Sequence, residues 1–273
     1  MTAPDLAPKR VSFIPAVAEA PEPLAVPRDH LRWEVFAVLA VSFGLSGLTA
    51  LLSFIRTELT VQGGIGNATI GVISASKSTL QWLDFLDDIA GVLNGLAPPL
   101  LACVLLARSF GWPSLGIGFD RPRIRELWGG VSLTALIGIP GLALLYIGSK
   151  LKFNAHIQAV DFPNVWYRVP MLLLDAFQNG AAEEIVVLAF VLTRLRQIGW
   201  TNERALIASA TLRGSYHLYQ GLGGFFGNMV MGTIFGWLFQ RTKRVWPFIV
   251  AHTLLDAFSF VGYVYLHNHI SWL

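Results

Sequence analysis

The chain has 273 residues, of which 54% are hydrophobic and 14% are charged, and its mean hydropathy is +0.56. Soluble domains carry about 25% charged residues, so the composition excludes an ordinary soluble enzyme and indicates a protein that crosses a membrane several times. The formal net charge is +3, but the basic residues lie in short loops between apolar segments. This pattern favours orientation in a lipid bilayer, and no nucleic-acid partner is expected.

The chain divides into three regions. Residues 1–31 contain six prolines among alanines and charged side chains and have no apolar signal-peptide core, so we predict a disordered cytoplasmic tail. N-terminal transmembrane helices and loops follow over 32–164, and a C-terminal core covers 165–268. The single Cys103 lies in an apolar run and cannot form an internal disulfide.

Seven segments are long and apolar enough for membrane helices, which need about 20 residues each. They lie near 34–55, 85–107, 127–147, 168–192, 205–221, 224–240 and 246–267. The polar stretch between Arg56 and Trp82 is predicted to be an amphipathic or re-entrant piece. With the N-terminus inside, fourteen lysines and arginines, Arg194 among them, fall on the cytoplasmic side and five fall outside, in agreement with the positive-inside rule.

The predicted fold is therefore an all-α polytopic bundle of about seven transmembrane helices in the cell membrane. Its N-terminus lies inside and its C-terminus outside. A catalytic-type cavity is expected between the C-terminal helices.

Ionisable side chains occur inside several of these spans, where such residues usually face the bundle interior and mark functional sites. A helix rises about 1.5 Å per residue, which places Glu183 and Glu184 roughly 14–16 Å from the cytoplasmic end of their helix and His217 roughly 18 Å deep. His252 lies roughly 9 Å and Asp256 roughly 15 Å deep. Acids and imidazoles from three helices thus share one layer of the bilayer, and we expect them to converge.

The spacing of these residues indicates which of them share a face. His252 and Asp256 are four residues apart and lie on one side of their helix. Glu183 and Glu184 are about 100° apart around the axis, so one can face a cavity while the other needs a partner beside it. A buried carboxylate next to an imidazole can activate water, and a second imidazole can stabilise an oxyanion. These groups predict a hydrolase that attacks an amide with water.

Three short motifs resemble the CPBP family of intramembrane glutamic proteases, which includes the CAAX endopeptidase of prenylated proteins. The family has two glutamates and, after three residues, an arginine. It then has a phenylalanine and a histidine separated by three residues, and a histidine and an asparagine or aspartate with the same separation. Here Glu183-Glu184, His217 and His252-Thr-Leu-Leu-Asp256 occur in that order within roughly 165–260. The LGIGF stretch before the third span resembles a weaker family feature.

The resemblance implies a metal-independent membrane endopeptidase without a cofactor, whose partner is a membrane-associated peptide or protein substrate. It implies that Glu183 activates water, that His217 orients this water and that Glu184 is a supporting carboxylate. His252 and Asp256 would form the oxyanion side of the site, with Asp256 orienting His252 so that the imidazole donates a hydrogen bond.

Two positions depart from the family pattern. Leu188 stands where the family has its arginine, and Arg213 stands where it has its phenylalanine. We predict that the cation has moved between helices and that Arg213 pairs with Glu184, because a buried carboxylate and a buried guanidinium cost less together than alone. Arg213 is thus a supporting residue of the predicted site. Asn228 on the sixth span is the second supporting residue, and we expect it to act through packing or interhelical hydrogen bonding.

Three other functions stay open at this point. A catalytically inactive membrane scaffold, immunity or regulatory protein would keep the fold without hydrolysis, and Leu188 is the argument for it. A zinc site could use the histidines and carboxylates, although the chain has no HExxH helix. A proton-coupled transporter also needs buried acids and histidines, but the number of spans is small. We predict the endopeptidase first and the scaffold second.

Overall fold

The computed structural model describes residues 26–74, 80–112 and 114–270. In this part of the chain the helices are α1 (Arg28–Ala40), α2 (Phe43–Thr60), α3 (Gln81–Phe110), α4 (Ile124–Leu151), α5 (Arg168–Glu183), α6 (Val191–Ile198), α7 (Asn202–Tyr216), α8 (Leu222–Thr242) and α9 (Trp246–Leu266). A π-helical segment, Glu184–Phe190, joins α5 and α6, so that Arg168–Ile198 is one continuous helix of 31 residues. The strands are β1 (Thr69–Ser74) and β2 (His156–Asp161).

The chain is a multi-pass membrane protein with an all-α bundle, as predicted. Within the described residues, five helices are long and apolar enough to cross a membrane, namely α3, α4, the continuous helix 168–198, α8 and α9. A sixth crossing results if α1 and α2, which meet at an angle of 47°, count as one broken span. The predicted number of seven spans is therefore not confirmed, and the orientation of the bundle stays a prediction.

The fifth predicted span, 205–221, is the one that differs most from expectation. It consists of the 15-residue helix α7 and a 3-10 turn over Leu218–Gln220. Gln240 near the end of α8 donates a hydrogen bond to the carbonyl of Asn202 at the start of α7, at 2.8 Å. The helix and the turn together extend roughly 28 Å, close to the roughly 31 Å of α8. The more extended 3-10 turn thus lets a short helix run alongside nearly all of α8.

The continuous helix 168–198 lies at the centre of the bundle. In its most apolar window 83% of the residues are buried, compared with 11 to 33% in the other four candidate spans. Gly180 allows α9 to approach closely, because a Cβ atom there would lie 2.8 Å from the backbone nitrogen of Thr253. The polar residues of this helix are therefore removed from lipid by neighbouring helices.

A two-stranded parallel sheet is present that the sequence analysis did not predict. β1 pairs with β2, with Thr69 opposite His156. The piece between Arg56 and Trp82, predicted to be amphipathic or re-entrant, contains the end of α2, a 3-10 turn and β1, while its residues 75–79 lie outside the described part. The two strands have six residues each, so the fold remains an all-α bundle with a small two-stranded sheet.

The N-terminal region departs from prediction at its boundary and at Arg194. Helix α1 begins at Arg28, so the last residues of the tail predicted over 1–31 are helical, while residues 1–25 lie outside the described part. Arg194, counted above as a loop residue, is fully buried. Its guanidinium lies 2.8 Å from the carboxylate of Glu34 on α1 and donates to the carbonyl of Leu105 on α3. This arginine therefore fastens α1 and α3 to α6.

Candidate active site

Glu183 and Glu184 lie where the α-helix changes to the π-helical segment. Glu183 is the last residue of α5 and Glu184 the first of the π segment, and the two residues are 7% and 0% exposed. Short π-helical stretches inside α-helices are frequent at functional sites. The short hydrogen bonds of the two carboxylates go to different partners, as their angular offset predicted.

Glu184 is held by two side chains from other helices. Its Oε1 accepts a hydrogen bond from Arg213 Nη2 at 2.7 Å and lies 2.7 Å from His252 Nδ1. The predicted pairing of Arg213 with Glu184 is thereby confirmed. Arg213 is 1% exposed, and its guanidinium carbon lies 5.9 Å from the centre of the Phe235 ring. Leu188 is buried among apolar residues of the core.

Glu183 has one oxygen engaged and one oxygen open. Its Oε2 accepts a hydrogen bond from the hydroxyl of Tyr216 at 2.7 Å and lies 3.8 Å from Arg213 Nη1 and 3.9 Å from His252 Nε2. Its Oε1 lies 3.7 Å from His217 Nε2. Two polar atoms at such a separation are commonly bridged by water. The Oε1 side of Glu183 is therefore the place where a water molecule can bind to both residues.

His217 lies at the junction of α7 and the 3-10 turn. Neither of its ring nitrogens has a hydrogen-bond partner in the described part of the chain, and its side chain is 16% exposed. Its ring packs against that of Tyr216, with 4.8 Å between the ring centres. Packing thus positions the imidazole, while its nitrogens are left for a ligand.

Asp256 does not make the contact predicted for it. Its Oδ1 lies 3.8 Å from His252 Nε2, which is too long for a hydrogen bond. The expected His252–Asp256 hydrogen bond is therefore not made, because the other ring nitrogen, Nδ1, points to Glu184 and sets the orientation of the imidazole. Asp256 interacts instead with Asn179 of α5.

Asn228 is satisfied within its own helix. Its side-chain nitrogen donates to the carbonyl of Gly224, one turn earlier, at 3.0 Å. A supporting role for Asn228 in the site stays a prediction.

A cavity of about 580 Å³ opens beside Glu183. Its described lining comes from the break between α1 and α2, from the middle of α3 and from the end of α5. Among the helices of the predicted core, α5 contributes to this described lining. A cavity enclosed by the C-terminal helices stays a prediction.

From the sequence, Tyr216 is expected to pack or to hydrogen-bond between helices rather than to take part in catalysis. It is 6% exposed and makes such an interhelical bond, to Glu183. A signal for it was present, because Tyr216 follows Arg213 by three residues and so lies on the same helix face. Its hydroxyl and the guanidinium of Arg213 hold the two neighbouring glutamates from one helix.

The described residues contain no group of three or more His, Cys, Asp or Glu side chains arranged to hold a metal ion. The site is thus built from two carboxylates, two imidazoles, one guanidinium and one phenol.

Comparison with known proteins finds one family model that is similar to the segment carrying this site. Residues 164–258, about a third of the chain, match the family model described as type II CAAX prenyl endopeptidase Rce1-like. The match begins just before α5 and ends within α9, and so spans Glu183, Glu184, His217, His252 and Asp256. No curated protein and no solved structure matches the chain. Over this segment the chain is similar to the CAAX protease family, which confirms the resemblance drawn from its three motifs.

Proposed function

We propose that this protein is an endopeptidase of the cell membrane that cleaves a membrane-associated peptide or protein with a water molecule activated by Glu183. The family match supports a CAAX-type intramembrane endopeptidase in general. The observation that carries the glutamate chemistry is the asymmetry of Glu183. Tyr216 engages Oε2 at 2.7 Å, whereas Oε1 faces His217 at 3.7 Å beside an open cavity.

In the proposed reaction, Glu183 is the general base and then the general acid. A water molecule bound to Glu183 Oε1 and His217 Nε2 attacks the carbonyl carbon of the peptide bond. As the C–O bond forms, the carbonyl electron pair moves to the oxygen and Glu183 takes the proton of the water. Glu183 then passes this proton to the amide nitrogen, the C–N bond breaks, and a carboxylic acid and an amine leave.

His252 is the proposed donor to the oxyanion. A His252 that carries protons on both nitrogens donates Nδ1–H to Glu184 and has Nε2–H left for the oxyanion. The Nε2 atom lies 3.9 Å from Glu183 Oε2, and so borders the place where the bond is attacked. Glu184 orients the imidazole, and Arg213 balances the charge of Glu184.

The geometry also bears on the inactive scaffold. That alternative rested on Leu188 in place of the family arginine. Arg213 brings a cation to Glu184 from α7 at 2.7 Å, so the carboxylate has its partner by another route. This contact supports the enzyme over the scaffold.

The test uses purified protein in detergent and two probes, a pool of internally quenched decapeptides and a prenylated peptide with a CAAX end. We expect cleavage that chelators leave unchanged. Glu183→Gln keeps the size of the side chain and should reduce the rate by about 10²–10⁴-fold. Thr233→Ala, at an exposed position of α8, is the control and should cleave normally. Wild-type rates from Glu183→Gln would refute glutamate catalysis.

A further inference from the structure

The wall of the cavity beside Glu183 contains backbone carbonyls that helix α3 cannot pair in the α-helical pattern. Pro98 and Pro99 lie inside α3, and proline has no N–H to donate to the carbonyl four residues before it. The carbonyls of Asn94 and Gly95 therefore lose their α-helical hydrogen bonds, and both of these residues line the cavity. Two residues of this wall thus carry backbone acceptors without an α-helical partner.

Side-chain amides lie at the same wall. Asn94 and Gln178 both line the cavity, and neither amide makes a hydrogen bond with the residues that the structure describes. The side chain of Gln178 packs directly against Gly95, where a Cβ atom would lie 2.5 Å from the Gln178 side-chain nitrogen. The residues of this wall therefore combine amide donors with carbonyl acceptors that lack an α-helical partner.

These polar groups lie deep in the membrane, where polar groups without partners are unusual. Asn94 is the fourteenth residue of α3, roughly 20 Å from the start of the helix, and so lies at the level of the hydrocarbon. Unpaired polar groups are costly there and persist where they line a cavity that holds water or a ligand. A volume of about 580 Å³ is within the range of about 300–1,000 Å³ typical of ligand pockets.

We propose that this cavity binds an extended, uncharged polypeptide segment of the substrate next to the bond cleaved at Glu183. The carbonyls of Asn94 and Gly95 accept hydrogen bonds from substrate N–H groups, and the amides of Asn94 and Gln178 donate to substrate carbonyls. A polypeptide backbone alternates donors and acceptors, as this wall does, and the carboxylate of Glu183 disfavours an anionic headgroup. The inference rests on the proposed function and names its substrate class.

A second part of the lining links the cavity to the catalytic carboxylate. It is formed by Val41 and Ser42 at the break between α1 and α2, and by Phe43. The Phe43 ring lies 4.8 Å from the ring of Tyr216, which in turn donates to Glu183. A polypeptide in the cavity would therefore lie against the residues that position the base.

Pro99→Ala is the most selective test, because Pro99 is buried and outside the described lining. Alanine restores an N–H that can pair with the carbonyl of Gly95. We expect KM for the decapeptide that wild type cleaves fastest to rise about fivefold, the size of one hydrogen bond, with kcat unchanged. Asn94→Leu should change KM in the same direction. Pro140→Ala in α4 removes a helix proline away from the cavity and should leave KM unchanged.

Binding is measured separately, by fluorescence anisotropy of the labelled decapeptides on Glu183→Gln protein with and without Pro99→Ala. Peptide binding that Pro99→Ala weakens, without any cleavage by wild type, would support the cavity assignment and refute hydrolysis. Glu183-dependent cleavage with wild-type KM in both Pro99→Ala and Asn94→Leu would overturn the cavity assignment alone. Neither binding nor cleavage of any peptide would overturn both. A thermal unfolding curve for each variant excludes misfolding as the cause.

Discussion

Removal of the guanidinium of Arg213 should reveal how strongly the buried charges of the site depend on each other. Arg213 Nη2 and Glu184 Oε1 are 2.7 Å apart, and both side chains are at most 1% exposed. An effective dielectric constant of about 20 gives an attraction of roughly 6 kcal/mol at this distance, part of which offsets the desolvation of the two ions. Arg213→Met leaves a buried carboxylate without its cation, so we expect a loss of about 3–5 kcal/mol in the free energy of unfolding.

A double-mutant cycle separates this pair from other effects of the substitution. Arg213→Met, Glu184→Gln and the double variant are unfolded by an SDS titration in dodecyl maltoside and followed by the fluorescence of the nine tryptophans. The double variant should lose about 3 kcal/mol less than the sum of the single variants. The exposed pair Asp29–Arg32, with its atoms 2.9 Å apart, is the control and should show little coupling. Additive effects at Arg213 and Glu184 would refute the reasoning.

Two further predictions concern the position of Glu183 and the packing of α5 on α9. Tyr216→Phe removes only the hydroxyl that donates to Glu183, so kcat for peptide cleavage should fall about tenfold or more while KM is kept; an unchanged kcat would show that this hydrogen bond does not position the base. Gly180→Ala places a methyl group 2.8 Å from the backbone of Thr253 and should lower both the unfolding temperature and kcat. Gly262→Ala on α9, where a Cβ atom meets nothing within 4 Å, should stabilise the protein slightly. Equal unfolding temperatures for the two glycine variants would contradict the proposed close packing.

The convergence of the polar residues was predictable because helix geometry is regular. The rise per residue is fixed, so positions along separate spans translate into depths, and Glu183 lies within 4 Å of both His217 and His252, as the shared layer predicted. The contact between Arg213 and Glu184 was predictable from charge balance. A buried carboxylate needs a cation nearby, and with Leu188 in place of the family arginine, Arg213 was the candidate on a neighbouring helix.

Other features depend on tertiary packing, which periodicity does not encode. His252 has two ring nitrogens and two carboxylates nearby, and only the packing of α5 on α9 decides that Glu184 is its partner rather than Asp256. The cavity depends on the angle between α1 and α2, which a count of apolar residues cannot supply. The strands β1 and β2 are separated in the chain by two helices, and neither strand has a sequence pattern strong enough to predict that the two pair.

The number of membrane spans is a further feature that hydropathy alone did not predict. Hydropathy treats 205–221 as an ordinary membrane helix, but the chain there forms α7 and a 3-10 turn. The change of helix type occurs at His217, the residue whose imidazole lies beside Glu183. A local irregularity thus serves the site, and average hydropathy is insensitive to it.

The π-helical segment Glu184–Phe190 makes the consequence of a one-codon deletion depend on where in this long helix it falls. A π-helical turn holds one residue more than an α-helical turn. Loss of one residue after Glu184 in this segment would therefore let a regular α-helix close, and the residues on both sides would keep nearly the same facing. Loss of one residue from the α-helical part that follows would instead rotate the residues before it by about 100° relative to those after it, and the two acidic side chains would turn away from partners on neighbouring helices.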